Sequence, residues 1–141
     1  MTEIIELTEK YAEEVDKLDR TIFPKSPWGL DCFKNNMIND FDHPVAAIKD
    51  GKAVGYGILR QIDVGEILVI GVDEAERRKG IGGMILDKLL SIASPGENVF
   101  LEVRDSNEAA KKLYEKKGFA EVARRRNYYK DPAEDAVIMM V

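Results

Sequence analysis

The stretch "ILVIGVDEAERRKGIGGMILDKLL", residues 67–90, constrains the fold more than any other part of the chain. Its first six residues are nearly all apolar, too short a run for a helix, and read as a strand buried on both faces. After a turn, Ile81, Ile85, Leu89 and Ile92 recur at helical spacing and place one apolar face on a helix over 80–93, stopped by Pro95-Gly96. A buried strand leading through glycines into an apolar helix requires further layers to cover both, which is the logic of an α/β sheet.

The other elements extend that pattern. "EIIEL" (3–7) reads as a strand. Thr8 reads as the N-cap of a helix whose Tyr11, Val15, Leu18 and Ile22 share a face. "FPKSPWG" breaks that helix, and a second short one is expected over 31–39. "VAAIKDGKAVGYGILRQ" carries Asp50-Gly51 at its centre, a strong hairpin signal. "NVFLEVRD" is a further strand, Asp105 or Ser106 caps a helix that Gly118 ends, and "FAEVARRRNYY" and "EDAVIMMV" close the chain as strands. No repeat, linker or low-complexity tract divides the 141 residues, so the expectation is one domain, residues 1–141: a mixed central sheet with helices on both faces.

Composition narrows function by exclusion. Cys32 and His43 are each the single residue of their kind, which leaves no internal disulfide, no Cys zinc cluster and no His-based metal site. His43, in "FDHPV", reads as a loop or strand-entry residue. A formal net charge of −5 argues against nonspecific nucleic-acid binding. No segment resembles a signal peptide or approaches membrane-spanning length, so the expectation is a cytoplasmic protein without membrane contact.

Two stretches carry chemistry. Arg77, Arg78 and Lys79 stand directly before Gly80, Ile81, Gly82 and Gly83. A helix start is the positive end of its dipole, so cations there are disfavoured unless an anion sits among them. Unpaired N–H groups and close-approaching glycines offer such an anion a site. The spacing is neither that of a Walker loop nor that of a dinucleotide fold, and the alternative reading is solvated surface charge. In "LEVRDSNEAAKKLYEKKGF" (101–119), Phe100, Glu102 and Arg104 share one strand face while Val99, Leu101 and Val103 share the other. A mid-strand carboxylate is costly to bury unless it is paired, here with Arg104, or used. Tyr114 lies on the helix face of Ala110 and Leu113, where packing alone would account for it. Of the adjacent Tyr128 and Tyr129, strand geometry sends only one to the core.

The segment Arg77-x-x-Gly80-x-Gly82, set between a buried strand and a helix, resembles the signature of the GNAT-superfamily N-acetyltransferases. The resemblance implies a GNAT fold with acetyl-CoA as co-substrate and no metal. It places the pyrophosphate on the turn Arg77, Arg78, Lys79, Gly80, Ile81, Gly82, Gly83 and the pantetheine arm along Ile70, Gly71 and Val72. "LEVRDSNEAAKKLYEKKGF", "RRNYY" and "EDAVIMM" further resemble the bacterial ribosomal-protein alanine N-acetyltransferases, and "FPKSPW" echoes a segment of theirs. That likeness implies Glu102 as general base, Tyr114 as general acid and Asn107 as a cofactor contact. It puts Tyr128 and Tyr129 around a substrate peptide, and the loop "KDPA" is shorter than its counterpart there; Trp28 and Phe23 read either as the other side of that groove or as core packing. The activity implied is acetyl transfer to the N-terminal α-amine of a protein, a ribosomal protein by this likeness. The alternatives are the same fold acting on lysine or a small amine, or a non-catalytic acyl-CoA sensor.

Overall fold

The structure, a computed structural model, describes residues 1–130 and 132–141; Asp131, within the "KDPA" loop, lies outside the described residues. The described residues form strands β1 (Thr2–Glu6), β2 (Asp42–Lys49), β3 (Lys52–Gln61), β4 (Gly65–Val72), β5 (Val99–Arg104), β6 (Ala120–Tyr129) and β7 (Glu134–Met140). Helices α1 (Glu9–Ile22), α2 (Leu30–Ile38), α3 (Ile81–Ile92) and α4 (Glu108–Lys116) connect them, with a short 3-10 turn at Glu74–Glu76. The element order is the one the sequence predicts, and His43 does enter a strand.

The seven strands make one sheet in the order β1-β2-β3-β4-β5-β7-β6. Asp50 and Gly51 both take positive φ, 52° and 76°, the geometry of the tight hairpin turn that joins β2 to β3. Alternation along the strands divides the core between the two faces. On one, Ile81, Ile85, Leu86 and Leu89 of α3 and Tyr114 of α4 pack on Val45, Ala47, Leu59, Leu101 and Val103. On the other, Tyr11 and Val15 of α1 and Phe33 of α2 pack on Ala46, Tyr56 and Ile58, with Leu18 and Ile22 partly buried beside them. Helices therefore cover both faces, and the spacing of the first helix is read correctly from the sequence.

Local details differ from expectation. Thr8 occupies the N-cap of α1, but its side chain makes no capping hydrogen bond among the described residues. Asn107, rather than Asp105 or Ser106, caps α4, its side-chain oxygen accepting the Ala110 N–H at 3.2 Å. The alternation expected of Tyr128 and Tyr129 fails because Asn127 turns to φ 51° and the β6–β7 register slips between Arg125 and Tyr129. The two tyrosine rings touch edge to face at 5.2 Å, and neither enters the core.

What positions the site is a divergence. β4 and β5 run parallel and share only two registered pairs among the described residues, Gly65↔Val99 and Glu66↔Phe100. Beyond these the strands separate, and the gap opens between Ile67–Ile70 of one and Leu101–Arg104 of the other.

Candidate active site

The gap is a cavity of 680 Å³. Its walls are β4, β5, the start of α4, the segment 23–28 after α1, and Tyr129 with Pro132 and Glu134 at the β6–β7 end. Of the residues singled out in the sequence, Ile70, Glu102, Asn107, Tyr114, Tyr129, Trp28 and Phe23 line it together. They come from five elements and meet because β4 and β5 part.

Glu102 sits in the middle of β5 on the face turned away from Val99, Leu101 and Val103, its side chain 19% exposed. The ion pair with Arg104 considered from sequence does not form. Arg104 instead points to the β6–β7 loop, meeting Glu134 at 2.9 Å, donating to the Pro132 and Lys130 carbonyls, and standing 4.3 Å over the Tyr129 ring. Glu102 is left with a looser partner, Arg125 at 3.5 Å from β6, itself half in solvent. A half-exposed pair at that separation is weakly held, so the carboxylate stays available to a ligand. Glu66 of β4 is its electrostatic neighbour. Burial first, then the charge of Glu102, raises the Glu66 carboxyl above its ordinary range.

Tyr114 reaches the cavity from α4 while packing on Phe119, ring centroids 5.8 Å apart. It serves the core and the cavity at once. Burial, with a smaller contribution from Tyr129, pushes its hydroxyl up to about 12, so it stays protonated and able to donate across neutral pH. Tyr129 is also raised, by burial and then by the Glu102 charge. Tyr128 stands outside the cavity, 47% exposed, with Arg125 over its ring at 5.3 Å.

The glycine turn lies apart from the cavity, past the end of β4. Arg77 donates to the Val72 carbonyl at 3.2 Å, and Lys79 pairs with Glu76, which Lys49 also holds at 2.8 Å. Arg78 takes φ 66° and has no charged partner among the described residues. Of the three cations, then, one is uncommitted. Gly80 adopts φ 82°, a left-handed turn with open space beside its Cα, so it starts α3 without a side chain in the way. The first turn of α3 holds no acidic residue and no side-chain cap among the described residues. Its N–H groups at Ile81, Gly82 and Gly83 therefore suit a phosphate, and the residues present fit a pyrophosphate-bearing donor. Gly71 lies against Tyr56, where a Cβ would come within 2.6 Å of the ring, so β4 can approach β3 only because this residue has no side chain.

Sequence reasoning missed four residues around the cavity. Leu68 is the extra residue of a bulge, since Ile58 pairs with Val69 and Leu59 with Ile67, and it lines the cavity at the divergence. No glycine or proline marks it. Glu66 and Arg125 reach Glu102 from other strands. Asp19, buried on the cavity wall, was readable: four residues after Val15, it puts a carboxylate on the apolar stripe of α1.

Comparison with known proteins agrees with this geometry. The acetyltransferase (GNAT) family pattern matches residues 3–119. The N-alpha-acetyltransferase RimI of Mycobacterium tuberculosis H37Rv is 35% identical over 94% of this chain and 87% of its own. The ribosomal protein bS18-alanine N-acetyltransferase of Escherichia coli K12 is 36% identical over 80% of this chain and 79% of its own. The crystal structure of the E. coli ribosomal-protein-S18-alanine N-acetyltransferase superposes with a TM-score of 0.86 at 31% identity, covering 100% of this chain and 93% of that one. The divergent β4–β5 pair, the glycine turn ahead of α3 and these matches lead to one conclusion: the chain belongs to the GNAT acetyltransferase family and is an acetyl-CoA-dependent N-acetyltransferase.

Proposed function

We propose that this enzyme acetylates the α-amine at the N-terminus of a protein, a ribosomal protein with N-terminal alanine as in its relatives, with Glu102 as general base and Tyr114 as general acid. The observation that carries the reading is that Glu102 from β5 and Tyr114 from α4 face one cavity. One is a weakly paired carboxylate, the other a hydroxyl held protonated by burial.

Acetyl-CoA, when bound, supplies the acetyl thioester. Arg78 and the N–H groups of Ile81, Gly82 and Gly83 would hold its pyrophosphate, with Arg77, Lys79 and Gly80 shaping the turn. The backbone of Ile70, Gly71 and Val72 would align its pantetheine arm. Asn107 commits its side-chain oxygen to the α4 cap, which leaves its amide N–H groups to offer the donor. A protein α-amine has a pKa of about 8 and is largely protonated at neutral pH. Glu102 takes that proton, directly or through a water, and frees the amine as a nucleophile. Backbone N–H at the Leu68 bulge would meet the negative charge that builds on the acetyl oxygen. Tyr114 donates to the sulfur as it leaves. Trp28 and Phe23 on one side and Tyr129 on the other would flank the acceptor chain, with Tyr128 at the rim.

A peptide panel tests the acceptor. Peptides with a free N-terminal alanine should be acetylated and their N-blocked counterparts left unmodified, whether or not they carry lysine. Product on blocked, lysine-containing peptides alone would overturn the α-amine assignment.

A further inference from the structure

We propose that Asp19 is a positioning residue for the acceptor, which pins the wall formed by 23–28 and ties it to the strand beneath the donor site. Asp19 is 1% exposed, a carboxylate on the apolar face of α1 where an aliphatic side chain would pack as well. Burying it is costly unless its oxygens are satisfied, and both are. One accepts the backbone N–H of Trp28 at 2.5 Å; the other accepts the Tyr56 hydroxyl. The backbone carbonyl of Asp19 also accepts the Phe23 N–H at 2.7 Å. Both ends of the segment 23–28 thus hang on one residue.

That segment contains two prolines and no regular structure, yet Phe23, Pro24, Ser26 and Trp28 line the cavity from it. The Trp28 indole N–H, moreover, donates to Asn36 at 2.7 Å. Asn36 donates to Asp42 at 2.9 Å, and Arg60 closes the chain on Asp42 at 2.8 Å. A continuous line of hydrogen bonds fixes the indole before any acceptor arrives, which lowers the ordering cost of binding. Tyr56, at the other end, is the cross-strand partner of Gly71 and packs directly against it. Asp19 therefore spans from the acceptor wall to the donor strand, without facing the reacting atoms as Glu102 and Tyr114 do.

This inference rests on 23–28 being the acceptor side of the proposed reaction. Wild-type turnover of a free-N-terminus peptide is measured first; its absence would count against the activity reading and not against Asp19. Steady-state kinetics on Asp19→Ala should then show the peptide KM raised about tenfold or more, with the acetyl-CoA KM and the kcat at saturating peptide nearly unchanged. Amide exchange at Trp28 should quicken in the same variant. Asp19→Asn should restore both, since its oxygen can accept from Trp28 and its amide can donate to the Tyr56 oxygen. Tyr56→Phe keeps the ring under Gly71 and removes one hydroxyl, so it tests the tie even if Asp19→Ala fails to fold; a smaller rise in peptide KM alone is expected. Both KM values rising together, or an unchanged peptide KM and Trp28 exchange rate in Tyr56→Phe, would overturn the proposal.

Discussion

Glu102 depends on what its neighbours do with their charges. Arg104, two residues along the same face, looks like its partner in the sequence, and the fold takes it away to Glu134, 30 positions later. That choice was not legible, because it is made by the β5–β7 pairing and the loop behind it. A costly mid-strand carboxylate was legible in the sequence, whereas Tyr114 read as core packing and only the family resemblance singled it out. Glu66 was silent, since only the β4–β5 register sets it beside Glu102. Its raised carboxyl has a testable sign. The folded chain binds that proton more tightly than the unfolded chain does, so the stabilising contribution exists in acid and is lost as pH rises through the folded value. Once ionised, Glu66 is a net cost to the folded chain. Glu66→Gln should accordingly raise Tm at pH 7, by about 2 °C or more, with the gain shrinking toward pH 4 in thermal melts.

At the scale of elements, the cavity exists because β4 and β5 part after two registered pairs among the described residues, and the proposed pyrophosphate site rests on α3 beginning at a glycine turn with no side-chain cap among them. The turn was legible. Cations at the positive end of a helix are unfavourable alone, and Arg78, with no charged partner among the described residues, keeps that argument alive in the structure. Two of the three cations proved to be internally engaged, Arg77 with a carbonyl and Lys79 with Glu76, which no spacing rule announces. The divergence and its bulge at Leu68 were not legible either, because a bulge among Ile, Leu and Val leaves no compositional mark. Reversing the uncommitted charge isolates its role. Arg78→Glu should raise the acetyl-CoA KM about tenfold in low salt and less at high ionic strength, with kcat at saturation little altered.

Across the whole molecule, the proposed reaction divides between the two faces of the sheet. α3 and α4 cover one face and bring the glycine turn and Tyr114; α1 and α2 cover the other, and the segment 23–28 between them forms the proposed acceptor wall with Asp19 behind it. The fold class and element order followed from apolar periodicity and turn signals, even though the edge strand β6 is exposed along nearly its whole length. Which side chains converge followed only from the sheet order, which no local pattern encodes. Glu102 lies where the two halves meet, and proton removal there is the central claim. Its most direct test is the pH dependence of kcat/KM for a free-N-terminus peptide, wild type against Glu102→Gln. The wild type should be nearly level across neutral pH. The variant should be slower by about 100-fold or more near pH 7 and climb as the amine loses its own proton toward pH 8. A variant with the rate and the profile of the wild type would contradict the account.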